Sequence, residues 1–363
     1  MKSKEKYLVF GNGDSVHIVK WTKELIKYFD VYIISSCNIH PEIKAIIPPD
    51  KLFALDLKIK PEGGNIKILS RIFKVVRIIR KIRPVYVNAH YITSHGFLAA
   101  LIRKFTILRF VLIHSAWGTD ILVTPYKNKK YYAATKFTLR QADIIVSDSD
   151  YMTDMIMQFC SKTVITFPFG VNFLPEINIE EKKEGMCFSN RALTSNYNID
   201  QVISFFYKII TTDDEAVLVI ANDGDKKESL IKLTETLGIK DKVRFAGFIK
   251  GTEQEKYYRE AVFYFSVPES DSTSVSLLEA MAYGCVPIVS DIPANKQWVE
   301  HNKNGIILTS ETSMQNLKDL LNRHEEIFRR NRELIKEKAI FPDSIQYYAE
   351  QIKQLNSKMK IKG

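Results

Sequence analysis

Two α/β domains, each built on a parallel sheet, are predicted by three observations. Short apolar runs alternate with stretches of helical periodicity along nearly the whole chain, the pattern of βαβ units. The 363 residues, 45% of them hydrophobic, suffice to fill two cores. Periodicity fails at GVNFLPEINIEEKKE, residues 170–184, where charge and proline gather. The domains are therefore expected at 1–172 and 185–342, with a linker at 173–184 and a last helical segment at 343–363 that no strand follows.

Taken in order, the apolar runs at 7–10, 31–35, 85–89, 109–114 and 143–147 are expected as strands of the first domain. Those at 186–189, 216–220, 243–246, 261–265, 286–290 and 306–308 are expected in the second. Between the second and third runs, IKILSRIFKVVRIIRKIR (66–83) reads as a basic amphipathic helix. Ile66, Leu69, Ile72, Phe73, Val76 and Ile79 form its apolar stripe, with Lys67, Arg71, Lys74, Arg77 and Lys81 largely opposite. Such a face suits either solvent or the anionic headgroups of a membrane surface. The net charge of +10 lacks the aromatic-interleaved basic stretches of nucleic-acid binders, so nucleic acid is not an expected partner.

Four scattered cysteines (Cys37, Cys160, Cys187, Cys285) show neither CxxC nor ligand spacing, which favours reduced thiols. The apolar stretch at 7–10 is too short for a secretory signal, and no apolar run approaches the roughly 20 residues that span a bilayer. A cytoplasmic location is expected, peripheral on the inner face of the cell membrane if the basic stripe meets lipid.

The most informative stretch is SVPESDSTSVSLLEAMAYG, residues 266–284. It follows a buried strand pattern, opens a helix in which Val275, Leu278 and Met281 recur, and stops at Gly284. At such a junction, the backbone N–H groups of Ser272, Thr273, Ser274 and Val275 and the positive end of the helix dipole suit a phosphate. Asp271 and Glu279 offer carboxylates to hydroxyl groups. Phosphate and hydroxyls together suggest a nucleotide-sugar, although the same residues also suit an ordinary helix cap.

Other strand ends carry weaker signals. GNGD (11–14) is a truncated glycine-rich turn, not a GxGxxG fingerprint, and its glycines also suit a tight turn with positive φ. HSAWGTDIL (114–122) lies at the C-terminal end of an expected strand, where ligands gather in open parallel sheets. Arg191 opens a loop after another strand, and its planar fork suits a diphosphate.

From Ser266 through Leu308 the chain closely resembles the donor-binding half of glycosyltransferase family 4, whose members have the GT-B fold. That fold comprises two Rossmann-like, doubly wound domains facing across a cleft, with a C-terminal helix crossing back to the first domain. Asp271 stands where the family has the first of two glutamates with seven residues between them, and Glu279 holds the second position. The resemblance implies retaining transfer of a sugar from a nucleotide-diphosphate sugar, commonly a UDP-sugar, with no covalent nucleophile. It further implies no metal and no cofactor beyond that substrate.

By matching position, Asp271 would hold donor-sugar hydroxyls, Glu279 the ribose, and Arg191 the diphosphate. Phe248 and Ile249 of FAGFI would receive the base through their backbone, and Gly11 and Gly13 would lie near the donor phosphates and acceptor. The chain departs from the family twice. Trp117 stands where a histidine near the reacting sugar is usual, leaving His114 three residues earlier as the alternative. Asn196, Tyr197 and Asn198 occupy the neighbourhood of a customary lysine.

The acceptor implied by charge and family habit is a saccharide or lipid-linked saccharide of bacterial surface polysaccharides: capsule, exopolysaccharide or O-antigen. Three alternatives stay open on sequence. One is a metal-dependent GT-A transferase, for which IIVSDSD supplies Asp148-x-Asp150 and a second such pair is Asp223 and Asp225. The others are a sugar-nucleotide epimerase and a degenerate sugar-nucleotide-binding module.

Overall fold

The computed structural model describes residues 3–57, 66–211 and 214–362; the side chains of Ile66 and of 360–362 lie outside that description, and with them the expected place of Ile66 in the apolar stripe. The chain divides into two compact units, one of residues 1–168 with 342–363 and the other of residues 169–341.

The first unit is a seven-stranded parallel sheet: β1 (Lys6–Gly11), β2 (Asp30–Ser35), β3 (Leu52–Ala54), β4 (Tyr86–His90), β5 (Val111–Ser115), β6 (Ile144–Ser147) and β7 (Thr163–Thr166). Its order is β3-β2-β1-β4-β5-β6-β7. The second unit holds six parallel strands: β8 (Lys183–Ser189), β9 (Val217–Ala221), β10 (Val243–Gly247), β11 (Ala261–Ser266), β12 (Val286–Ser290) and β13 (Ile306–Leu308). Their order is β10-β9-β8-β11-β12-β13.

Both sheets therefore reverse their winding direction once, at the β1/β4 pair and at the β8/β11 pair. Helices leaving adjacent strands at that point pass to opposite faces, which opens a crevice beyond the carboxyl ends. In the first unit the crevice is bordered by Gly11–Asp14 and by the turn after His90; in the second it is bordered by Asn190–Asn198 and by Val267–Ser274.

The helix Phe341–Lys362 packs on the first sheet through Ile345, Tyr348, Ala349 and Ile352, a stripe at spacing i, i+3, i+4, i+7 that is wholly buried. Its Tyr348 hydroxyl meets that of Tyr7 at 2.6 Å, and Asn356 Nδ2 donates to the Tyr86 hydroxyl at 3.1 Å. Residues 173–184 are part of the second unit. Lys182 is half-buried there, its Nζ donating to the carbonyls of Tyr258 and Ala261 at 2.8 Å each.

Several expectations are corrected. Strands β3 and β7 were not anticipated; both are short edge strands, β3 with no buried residue and β7 with Ile165 alone buried. The 66–83 segment is a 3₁₀ turn at Ile66–Arg71 followed by an α-helix at Ile72–Ile82. Its buried side chains are Ile68, Val75, Ile78, Ile79 and Ile82, and Phe73 is 84% exposed on the basic face instead of in the apolar stripe. Neither Gly11 nor Gly13 has a positive φ. Close packing favours glycine instead: a Cβ on Gly13 would lie 2.9 Å from Ser35, which would have to shift, and one on Gly11 would sit tightly, 3.2 Å from Ile18.

Candidate functional site

The second unit's crevice is built by two loops stitched together through backbone and amide contacts. Glu269 N–H donates to the Asn196 carbonyl at 2.8 Å. Asn196 Nδ2 donates to the Ser270 carbonyl at 3.1 Å, and Asn198 Nδ2 to that of Val267 at 3.2 Å. Asn198 takes the left-handed conformation (φ 46°), which asparagine tolerates better than most residues. The residues standing at the customary lysine's place therefore fix the loop, and they do not supply a charge.

Into this frame projects Arg191. Nη2 donates to Asp271 Oδ2 at 2.6 Å, and Nη1 donates to Ser274 Oγ at 2.6 Å and Ser276 Oγ at 2.8 Å. The guanidinium lies over the Tyr197 ring, 4.3 Å from its centroid. Nε is buried with no hydrogen-bond partner among the described residues. Burial opposes the guanidinium charge, but the Asp271 carboxylate and three tyrosines outweigh it and raise its pKa further.

The helix Val275–Ala282 starts at Ser274, whose Oγ accepts from Leu277 N–H at 3.3 Å. Ser272, Thr273 and Ser274 are buried. Val275 is half-buried. Asp271 Oδ1 accepts from Ser272 N–H at 3.0 Å, which holds the carboxylate at the mouth of the helix.

One turn further, Glu279 accepts from the Tyr258 hydroxyl at 3.0 Å and from Gln254 Nε2 at 3.2 Å. Burial, then the Glu279 charge, push the Tyr258 hydroxyl well above its ordinary range, so it acts as a donor. Asn190 at the end of β8 ties Tyr258 and Tyr264 together by donating to one and accepting from the other. Beside Glu279 opens a cavity of about 340 Å³, bounded also by Asn172, Phe173, Gly251, Gln254 and Tyr283. Such a volume falls in the range of small-molecule sites.

Arg191, Asp271 and Ser274 thus converge on one helix start, with Glu279 one turn along the same helix. Phe248 is 72% exposed and Ile249 is in the core, and neither is among the described residues that bound the cavity. Ser276, Tyr197, Tyr258 and Gln254 were not anticipated. Only Ser276 had a readable signal, a hydroxyl two residues past a helix cap.

In the first unit, His114 is fully buried within β5, and burial lowers its pKa to about 3. The expected catalytic role does not fit a ring with no surface of its own. The side chains that gather instead are Trp117, His17 and His90, the Trp117 ring lying 5.2 Å from His17 and 5.5 Å from His90. Asp120 is buried beneath them, accepting from Ile92 N–H at 2.7 Å and Trp117 N–H at 2.9 Å. Burial raises its pKa to about 6 against those donors. It locks the turn after β4, where Tyr91 has the strained φ of 79°.

The chain matches two family models, glycosyl transferase 4-like over residues 6–149 and glycosyl transferases group 1 over residues 172–340. It belongs to the GT4-type glycosyltransferases. An uncharacterised glycosyltransferase of Methanocaldococcus jannaschii is 32% identical over 136 residues, 38% of this chain and 34% of that protein. Alpha-monoglucosyldiacylglycerol synthase of Streptococcus pneumoniae is 28% identical over 170 residues, 42% of this chain and 38% of the synthase. The chain thus spans little more than a third of the length of these two relatives.

The crystal structure of Anabaena HepE in complex with UDP is similar with a TM-score of 0.74 at 13% identity, covering 96% of this chain and 100% of HepE. Two parallel, doubly wound sheets and this likeness make the fold GT-B, which excludes the GT-A alternative. Asp148 and Asp150 follow β6 of the first unit, remote in sequence from the second-unit crevice, and Asp223 pairs with Lys227 at 3.5 Å.

Proposed function

We propose that this GT4-type chain transfers a sugar from a nucleotide-diphosphate sugar to a saccharide or lipid-linked saccharide, with retention of configuration. The observation that carries this reading is Arg191, a buried guanidinium held over the start of a helix at the winding reversal of the second sheet, with Glu279 and a cavity one turn away. A diphosphate there meets the guanidinium and the first-turn N–H groups; these stabilise the charge that develops as the sugar–phosphate bond breaks, an effect of about 3 to 4 kcal/mol per well-placed donor. Glu279 takes the ribose hydroxyls in the cavity, and Asp271 the hydroxyls of the sugar. Because an arginine and a helix start serve the leaving group, the reaction requires no divalent cation.

UDP is the proposed nucleotide, in keeping with HepE, which was crystallised with UDP. A lipid acceptor is in keeping with the name of the pneumococcal relative, an alpha-monoglucosyldiacylglycerol synthase; a place in bacterial surface polysaccharide synthesis is proposed on the basic charge and the family resemblance. Among the described residues no helix is long and apolar enough to cross a membrane. Peripheral attachment to anionic lipid through Lys67, Arg77 and Lys81 is proposed instead, with the exposed Phe73 inserted among the headgroups; Arg71 and Lys74 are partly withdrawn from that face, donating to the Leu55 and Ala54 carbonyls.

The testing experiment is calorimetric titration with UDP, GDP and ADP, with and without EDTA, followed by measurement of nucleotide diphosphate release from the matching sugar conjugate. Selective binding unaffected by EDTA, and release that depends on added acceptor, are expected. Absence of binding to all three would leave the binding site unsupported, and release without acceptor would argue for hydrolysis in place of transfer.

A further inference from the structure

The first unit contains a second cavity, of about 410 Å³, on the side of the sheet covered by the helices Phe97–Phe105 and Lys129–Gln141. Its walls are mainly apolar: Ile68, Leu69, Phe97, Ala134 and the ring of Tyr131. Ser94, Thr138, Asn128 and Lys130 complete the lining, so the hollow is apolar over most of its wall with polar groups at a few points. Thr93, also on the wall, has its Oγ1 buried with no hydrogen-bond partner among the described residues.

The rim has a different chemistry. Tyr126 to Lys130 reads YKNKK; Lys130 and Asn128 border the cavity, and Lys127 and Lys129 are exposed beside them at the start of the Lys129–Gln141 helix. Among the described residues none of the three has a carboxylate partner. The positive end of that helix adds to their field, and Asn128 caps it by accepting from Tyr131 N–H at 3.0 Å. Lys67 is exposed next to Ile68 on the facing wall. An apolar hollow with a cationic rim is complementary to an amphiphile that has an aliphatic chain and an anionic head.

The turn that supplies Thr93 is itself held in place. Its backbone is pinned by Asp120 Oδ2 at Ile92 N–H, while Asp120 Oδ1 pins Trp117 N–H. One turn of chain therefore separates the apolar wall from the Trp117, His17 and His90 group at the carboxyl ends of β4 and β5.

We propose that this cavity binds the aliphatic chain of a phosphate-bearing lipid acceptor, its phosphate held by Lys130 at the start of the Lys129–Gln141 helix, in the field of the neighbouring Lys127 and Lys129. The inference rests on the transferase reading for the word acceptor, and on the cavity alone for the chain.

The experiment is calorimetric titration of the full chain with hexyl, octyl and decyl phosphate below their micellar concentrations, with inorganic phosphate as the headgroup control. Affinity is expected to tighten by up to about fourfold per added methylene until the hollow is filled. Ala134→Trp, which fills the cavity, is expected to weaken decyl phosphate at least tenfold while UDP affinity and melting temperature stay at the parent's values. Should that variant fold poorly, Leu69→Asn tests the same wall. Lys127→Ala with Lys130→Ala is expected to weaken every alkyl phosphate by a similar factor.

Affinity independent of chain length, or decyl phosphate bound as tightly by a folded Ala134→Trp as by the parent, overturns the chain site. Either result with UDP binding intact leaves the transferase reading standing. Chain-length dependence with UDP binding absent would support the cavity and count against the transferase.

Discussion

Arg191 directs Nη1 to Ser274 and Ser276 and Nη2 to Asp271, so a diphosphate arriving at the helix start meets a guanidinium already engaged by a carboxylate. Two charges held together at low exposure are costly to separate, and removing one partner of such a pair strands the other. Arg191→Ala is accordingly expected to lower the stability of the second unit by about 3 kcal/mol, read as the urea midpoint, and to weaken UDP at least tenfold. Asp271→Asn should behave differently. It removes the competing charge while keeping the shape, so free UDP is expected to bind more tightly, by about threefold or more. Turnover of the nucleotide-sugar should fall, because a charged carboxylate acceptor for the sugar hydroxyls is replaced by a neutral amide. If Asp271→Asn weakened UDP as much as Arg191→Ala does, the pair would be a structural brace and the proposed exchange would be wrong.

At the scale of elements, the Val275–Ala282 helix that holds Ser276 and Glu279 ends as its sequence indicates, with Gly284 at φ 73° and Cys285 N–H returning to the Ala280 carbonyl at 2.9 Å. A Cβ at Gly284 would lie 2.1 Å from the Phe328 ring, so the glycine is fixed by conformation and by space together. Gly284→Ala is expected to cost about 2 to 4 kcal/mol, above the usual penalty for an alanine at positive φ, and to weaken UDP by shifting Glu279. A loss below about 1 kcal/mol would show that the Phe328 helix yields without moving the site. The strands buried on both faces were legible because a continuous apolar run between turn signals has few other uses. The edge strands β3 and β7 were not, since three or four half-exposed residues leave no such run. The basic helix was mis-phased for a geometric reason. Ile66–Arg71 is a 3₁₀ turn at three residues per turn, and counting it at 3.6 rotates every later position, which is how Phe73 was put in the core when it stands among the cations. The donor loops were legible as a motif, but the pairing of Arg191 with Asp271 across 80 residues was not, because nothing local in either segment encodes its partner.

For the molecule as a whole, the uneven placement of buried histidines makes acid stability a property of the first unit. His90, His95 and His114 are all buried there, and burial lowers their pKa values from 6.5 to about 3, 4 and 3. Each is neutral when folded but takes up a proton when unfolded as the pH falls below 6.5, so each contributes stability above that value and loses it progressively on acidification. At pH 5 the loss is about 2 kcal/mol per histidine. Asp120 works in the opposite sense: its pKa is raised from 3.8 to about 6, so the folded state gains protons first and recovers about 1 kcal/mol at pH 5. The three histidines outweigh the one carboxyl. In the second unit, His324 is the histidine whose pKa is lowered, and it is less completely enclosed. Hydrogen exchange at pH 7 and pH 5, expressed as protection factors, is therefore expected to show amides of β4 and β5 losing protection several hundredfold or more, while those of β8 and β11 change far less. Replacing His114 with Asn, which is of similar size and does not titrate in this range, should flatten part of the first unit's pH dependence whatever its effect on stability at pH 7. Equal loss of protection in both units would mean that they unfold as one body, and an unchanged slope in the Asn variant would mean that His114 is protonated without leaving the core.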